Sequence, residues 1–337
     1  MLSKKMILVV IFICCSVLIS ANISFAANTG KAEFVIKVAN DLSATHPESV
    51  CLNNVFKKEI ETKSKGRIKV ELYPNGQLGG TREMVEAVQM GNLEMTTPAT
   101  SVLAGFEKKI QVLDLPFLFK NKETAFKALD GELGKKIATM LEPQGLVVLG
   151  YFENGYRHIS NNRKPIVTPG DLKNLKIRTM ENPMHIAYFK ALGANPTPMN
   201  FGEVYTALQQ KTIDGQENPV AIVYDNKFYE VQKYYSLTGH LFSVTVLLAN
   251  KDFMDRLPED LKAIVKNAAK DFCIADRKMV TEQEKGTIKK LVAKGMKINE
   301  LSEQQKKPFM DAAKPIYKQF ENIIGKDLIQ LAVNSNN

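Results

Sequence analysis

Glu33-Phe34-Val35-Ile36-Lys37-Val38-Ala39, Arg67-Ile68-Lys69-Val70-Glu71-Leu72-Tyr73 and Leu93-Glu94-Met95-Thr96-Thr97 are three short strand-like runs within residues 33–97. β-branched residues crowd the first, apolar and polar residues alternate in the second, and the third is brief. Between the first two, Val50, Val55, Phe56 and Ile60 favour one helical face that stops at Lys65-Gly66. Between the last two, Pro74-Asn75-Gly76 makes a turn and Gly79-Gly80-Thr81 opens a helix from Arg82 to Met90. The order strand–helix–strand–helix–strand is the cadence of a doubly wound α/β domain.

The cadence returns downstream. Leu146–Phe152, Tyr156–Ser160 and Lys176–Thr179 read as strands, and Met184–Leu192 and Phe201–Gln210 as helices. Ile213–Gln216 reads as a short strand or turn. Tyr235–Leu237 and Ser243–Ala249 read as two strands. From Glu259 to Gly295 the pattern is helical, with Leu261, Ile264, Val265, Ala268 and Phe272 on one side. It is one helix crossing two domains, or two helices broken near Asp271. The tail, Ser302 to Leu331, is helical again. No low-complexity linker separates the halves, so the chain is expected to cross between domains more than once.

The 337 residues are 45% hydrophobic and 24% charged, which excludes a disordered, collagenous or multispan membrane protein. Lys4-Lys5, the apolar run from Met6 to Cys15, and Ser24-Phe25-Ala26 describe a secretory signal cleaved near Ala26. A retained anchor is the alternative, but the run falls short of the ~20 apolar residues a membrane span needs. Ile13 stands where a lipidated cysteine would require a small residue, so a lipoprotein is rejected. Beyond the signal only Cys51 and Cys273 remain, and two buried free thiols are expected rather than a disulfide. The formal charge is +9. Lysines are interspersed with acids, which reads as a solvated surface and not as a nucleic-acid stripe.

The familiar chemical signatures are missing: GxGxxG, the P-loop, GxSxG, CxxC and HExxH. His46, His158, His185 and His240 have no second ligand at metal spacing. No metal, no cofactor and no catalytic residue is expected.

The informative region is 153–220. It holds Gly155-Tyr156-Arg157, Asp171-Leu172-Lys173-Asn174-Leu175-Lys176-Ile177-Arg178, Ala191-Leu192-Gly193-Ala194-Asn195-Pro196-Thr197-Pro198-Met199, Glu203-Val204-Tyr205-Thr206-Ala207-Leu208-Gln209 and Asp214-Gly215-Gln216-Glu217-Asn218-Pro219. With Pro74-Asn75-Gly76-Gln77-Leu78-Gly79 and Asp114-Leu115-Pro116-Phe117, this series resembles the solute-binding proteins of tripartite ATP-independent periplasmic (TRAP) transporters, the DctP family. The resemblance covers essentially the whole chain beyond the signal.

It implies a two-domain, periplasmic-binding-protein-like α/β fold with a ligand cleft between domains and a long domain-spanning helix. Residues 27–154 with about 244–283 would form domain I, and 155–243 with about 284–337 domain II. By motif position Arg178 clamps the ligand carboxylate, Arg157 is a second cationic contact, and Asn218 faces the ligand. Asn40 and Phe201 match pocket positions, and Tyr224 and Glu83 follow from local placement. A guanidinium suits this task because its planar fork meets a carboxylate with two parallel hydrogen bonds. The family often has glycine where Asn174 stands and glycine-valine where Lys211-Thr212 stands.

The expected function is a monomeric periplasmic receptor that delivers a small organic acid to TRAP membrane permease subunits. A sugar acid such as a uronate or aldonate is favoured, and a C4-dicarboxylate is the alternative. An exported hydrolase is the runner-up from another class, and the receptor of an ATP-driven importer shares the two-domain logic.

Overall fold

The computed structural model describes residues 32–336. The expected signal, residues 1–26, lies outside the described residues. Nine strands join into one sheet: β1 (Phe34–Ala39), β2 (Ile68–Tyr73), β3 (Met95–Thr96), β4 (Leu146–Asn161), β5 (Lys176–Thr179), β6 (Asn195–Pro198), β7 (Gly215–Asn218), β8 (Tyr234–Asn250) and β9 (Lys297–Glu300). The order is β2-β1-β3-β8-β4-β7-β5-β6, with β9 on β8. Strand β1 lies parallel between β2 and β3, and β5 lies parallel between β6 and β7. Each half is thus a strand–helix–strand–helix–strand unit with the same central placement of its first strand. The long antiparallel pair β4 and β8 joins the two units. The carboxyl ends of the parallel strands open the crevice where α/β proteins bind ligands.

Local chemistry explains the elements. In the first unit Ile36 and Val38 of β1 are fully covered, as a parallel strand between helices requires. The following helical segment starts where His46 accepts a hydrogen bond from Glu48 N (3.3 Å) and Pro47 fixes the first turn. It continues through a π-helical stretch, Leu52–Lys57, to Lys63. Helix α1 (Thr81–Gln89) begins after the extended Gly80. In the second unit helix α2 (Pro183–Ala191) is capped by Asn182, whose side chain accepts from Met184 N and His185 N.

Three sequence expectations change. The two strands expected in 146–160 are one, and so are the two expected in 235–249. In β4 the register shifts between Glu153 and Gly155 instead of breaking, with Gly155 at φ +115°. A residue with a side chain is strained there, which is why a glycine marks the bulge. Strand β6 was not anticipated at all, because two of its four residues are prolines. It lies at the sheet edge, where proline is tolerated.

Helix α3 (Glu259–Ala293) runs unbroken through Asp271. Its first half packs Leu261, Val265, Ala268 and Phe272 into the core beneath β1 and β2. There Phe272 meets Phe56 and Phe152 edge-on, with ring centroids 6.2 and 4.9 Å apart. Its last turns place Leu291 in a separate core with Val204, Leu208 and Phe228. One helix therefore reaches both units.

The tail is two helices, α4 (Glu303–Ile324) and α5 (Lys326–Asn334), parted at Gly325. The tail ties both units: Tyr188 OH donates to Phe309 O (3.2 Å), and Tyr317 OH donates to Pro116 O (3.0 Å). Asn174 and Lys211 both have positive φ, 64° and 60°. That backbone accounts for the glycine habit at those two loop positions. Cys51 and Cys273 are buried free thiols.

Candidate functional site

Arg178 is the last residue but one of β5 and is 3% exposed. Its Nε and Nη2 both donate to Met199 O (3.0 and 2.8 Å), which fixes the guanidinium edge-on against the backbone. Nη1 has no hydrogen-bond partner among the described residues, and no acid among them lies within ion-pair distance. Burial, reinforced by the nearby Arg157 charge, brings its pKa down to about 10. The Phe201 ring lies beside it, with Cζ 5.9 Å from the centroid. A buried cation without a counter-ion is costly unless an anion joins it.

Arg157, on β4, is buried differently. Its Nε donates to Glu217 Oε2 (2.5 Å), and Nη2 donates to Glu217 Oε1 (2.7 Å) and to Glu217 O (2.5 Å). Both side chains are essentially inaccessible. Burial raises the Glu217 carboxyl, but Arg157 and the bond from His240 outweigh it and hold it far below the usual carboxylate range. Arg157 keeps Nη1 for another contact. Asn218 closes β7. Its Nδ2 donates to Gln216 Oε1 (2.5 Å), and its carbonyl accepts from Tyr235 OH (2.9 Å).

These groups meet at one narrow cavity of about 50 Å³ between the two units. Arg178, Arg157, Asn218 and Phe201 line its second-unit side. Facing them from the first unit are Asp41, Glu48, Thr81 and Thr97. Asn154 and Thr245 line it from the joining pair of strands, and Asn154 Nδ2 donates to Ser243 Oγ (3.0 Å).

Three expected residues stand outside this lining. Asn40 is buried in its own turn, with Nδ2 donating to Ser49 Oγ (3.2 Å) and Oδ1 accepting from Leu42 N (3.2 Å). It shapes the loop that carries Asp41. Tyr224 packs on Tyr229, with Lys290 Nζ 5.4 Å from its ring centroid, away from the cavity. Glu83 is exposed at the rim, where Gly80 of the first unit meets Asn200 of the second.

The sequence reading missed Glu48, Thr81 and Thr97, while Asp41 directly follows Asn40, the pocket position it gave. Thr97 Oγ1 donates to Glu48 Oε1 (2.5 Å), and Thr81 Oγ1 donates to Asp41 Oδ2. Burial raises the pKa of both acids, that of Glu48 strongly. Their signal was positional: Asp41 and Glu48 come after β1, Thr81 after β2 and Thr97 directly after β3, at the carboxyl edge of the sheet.

The four histidines are structural. His185 Nε2 pairs with Asp114 Oδ1 (3.2 Å) and His240 Nε2 with Glu217 Oε2 (3.2 Å). Ser101 donates to Asp114 and not to a histidine, so this buried trio lacks the nucleophile–base contact of a hydrolase. Among the described residues no group of His, Cys, Asp and Glu is placed to hold a metal, and no helix is long and apolar enough to cross a membrane.

Comparison with known proteins agrees with this geometry. Residues 38–323 match the family of bacterial extracellular solute-binding proteins, family 7, DctP. The chain is 38% identical over 275 residues, 82% of each chain, to the 2,3-diketo-L-gulonate-binding periplasmic protein YiaO of Escherichia coli. The fold matches the crystal structure of the sugar acid binding protein DctPAm from Advenella mimigardefordensis with galactonate. That match has a TM-score of 0.87 and 34% identity, covering 90% of this chain and 97% of that one. A TRAP periplasmic solute-binding protein from Sulfurospirillum deleyianum with bound succinate matches at TM-score 0.86 and 34% identity, covering 90% and 99%.

Proposed function

Because the chain belongs to the DctP family of bacterial extracellular solute-binding proteins, we propose that it is the periplasmic receptor of a TRAP transporter, binding a small organic acid and handing it to the membrane permease. The observation that carries this reading is Arg178, a buried guanidinium with no acid in ion-pair reach and a free Nη1. A ligand carboxylate supplies the missing counter-ion. Arg157, through its remaining nitrogen, and Asn218 complete the polar contacts, and Phe201 covers the guanidinium face. The chain carries out no covalent step. It acts as a monomer without metal or nucleic acid, after a signal at residues 1–26 has directed it out of the cytoplasm.

The two bodies, 27–154 with about 244–283 and 155–243 with about 284–337, close over the ligand. Closure excludes water and strengthens the arginine–carboxylate attraction. The ligand favours the closed state only through contacts made there.

A sugar acid is the favoured ligand. YiaO and DctPAm, which bind such acids by name, are close in sequence and in fold. A C4-dicarboxylate is the second reading, favoured by the succinate-bound relative and by the free Nη1 of Arg157.

The test uses the purified protein, stripped of ligand by unfolding and refolding, titrated with organic acids by calorimetry. Arg178→Ala should weaken binding by ~2–5 kcal/mol, as for a desolvated charge pair losing one partner. Unchanged affinity in that variant would remove the clamp from the mechanism.

A further inference from the structure

The cavity is chemically lopsided. Its lining holds two cations, Arg157 and Arg178, and no lysine or histidine. Arg157 is already neutralised by Glu217, so only one positive charge is free. Across from it stand two carboxyl groups, Asp41 and Glu48, and neither has an ion-pair partner among the described residues. Each is oriented by a threonine hydroxyl: Thr81 for Asp41, Thr97 for Glu48. Glu48 is 2% exposed, and it follows Pro47 at the start of a helical segment.

The geometry points to Asp41 and Glu48 as the specificity-determining residues of the site: they read the hydroxyl groups of a polyhydroxy monocarboxylate held at its other end by Arg178, and they disfavour a dicarboxylate. The inference rests on the receptor reading above and extends it to the opposite wall. A hydroxyl can donate to an ionised carboxylate or accept from a protonated carboxyl, so it matches this wall in either protonation state. A second ligand carboxylate would find no free cation there. It would face two acids, repelled where they are ionised and without a counter-charge where they are not. A site built to hydrogen-bond hydroxyls discriminates strongly against an analogue that lacks them. Asn40 and Glu83, both expected from sequence at the pocket, lie one behind the wall and one at its rim.

The experiment compares galactonate, galacturonate and succinate on the stripped full chain by calorimetry at pH 7. The better sugar acid is expected to bind about 100-fold or more tightly than succinate. Glu48→Gln and Asp41→Asn keep size and should each reduce sugar-acid affinity about tenfold or more, leaving succinate unchanged or improved, which narrows the gap. Thr97→Val, which frees Glu48 from its orienting bond, should move affinity in the same direction and serves if Glu48→Gln fails to fold. Arg178→Ala should weaken both ligand classes alike. If succinate binds as tightly as the sugar acids, and Arg178→Ala loses both, the acidic-wall assignment falls while the receptor stands. If Arg178→Ala leaves every acid bound, the clamp at Arg178 falls and the acidic-wall assignment built on it falls too; if the wild type binds no organic acid at all, the receptor reading fails first.

Discussion

The two walls of the cleft are built on opposite principles. In the second-unit wall nearly every polar group has an internal partner. Glu217 answers Arg157, Gln216 answers Asn218, and Tyr235 ties the end of β7. Its cation without a counter-ion is Arg178, and Arg157 Nη1 and Thr179 Oγ1 also lack a partner among the described residues. In the first-unit wall the groups without a counter-ion at pairing distance are acids. Asp41 and Glu48 lack cations, His46 Nε2 has no partner, and Asp276 Oδ2, deeper in the same unit, has none either. One wall therefore presents one cation without a counter-ion, and the other two carboxyl groups held by threonine hydroxyls. A hydroxylated acid is the molecule that satisfies both. The contrast between the two arginines carries the same lesson on a smaller scale: burial with an acid makes architecture, and burial without one makes a receptor.

The largest test of that contrast is Glu217→Ala. Breaking a buried, bidentate ion pair leaves Arg157 uncompensated, and stability should fall by about 3–5 kcal/mol in denaturant melts. Equal stability of variant and wild type would mean that Arg157 is no more structural than Arg178.

His46 sharpens the other wall. Burial holds it neutral, with its pKa lowered from 6.5 to about 3. Below pH 6.5 the unfolded chain takes up a proton that the folded chain refuses until about 3. The residue's contribution is thus intact above pH 6.5 and is lost as pH falls toward 3. His46→Asn keeps a side-chain acceptor for Glu48 N and removes the titration. Between pH 7 and pH 5 the wild type should lose about 2 kcal/mol more than the variant. Parallel losses would show that the histidine is solvated.

The smallest effect is expected where the walls touch. A Cβ on Gly80 would run into the side-chain ends of Asn200 and Glu83. Those ends can shift, so Gly80→Ala should resist closure mildly, weakening binding about threefold with the ligand-free melting temperature unchanged. A tenfold or greater loss would mean that the lips are rigid.

The second-unit wall was the legible one. Arg178, Arg157, Asn218 and Phe201 lie within one contiguous region, in a spacing that one family uses, and all four border the cavity. The first-unit wall was opaque for a physical reason. Asp41, Glu48, Thr81 and Thr97 lie in the segments after β1, β2 and β3, brought together because β1 pairs with both of the others and their carboxyl ends abut. Each has an ordinary local reading as a turn acid, a first-turn acid, a helix start or a strand end. Tyr224 lies outside the cavity lining because sequence proximity to Asn218 says nothing about which side of a short helix turns inward. The strand–helix cadence read correctly since burial on both faces imposes it. The continuity of β4 and β8 did not, because Gly155 and Gly239, both with positive φ, look like breaks in a string of letters.

That continuity determines how occupancy is felt elsewhere. Two uninterrupted strands and the 35-residue helix α3 pass between the bodies, so there is no free joint to swing on. Any parting of the lips must be shared among these three members and the tail that also ties both units, with β4 bulged at Val148/Gly150, Glu153/Gly155 and Arg157/Ile159. They behave as a leaf spring. Closure as proposed would therefore be felt along α3 as well as at the mouth.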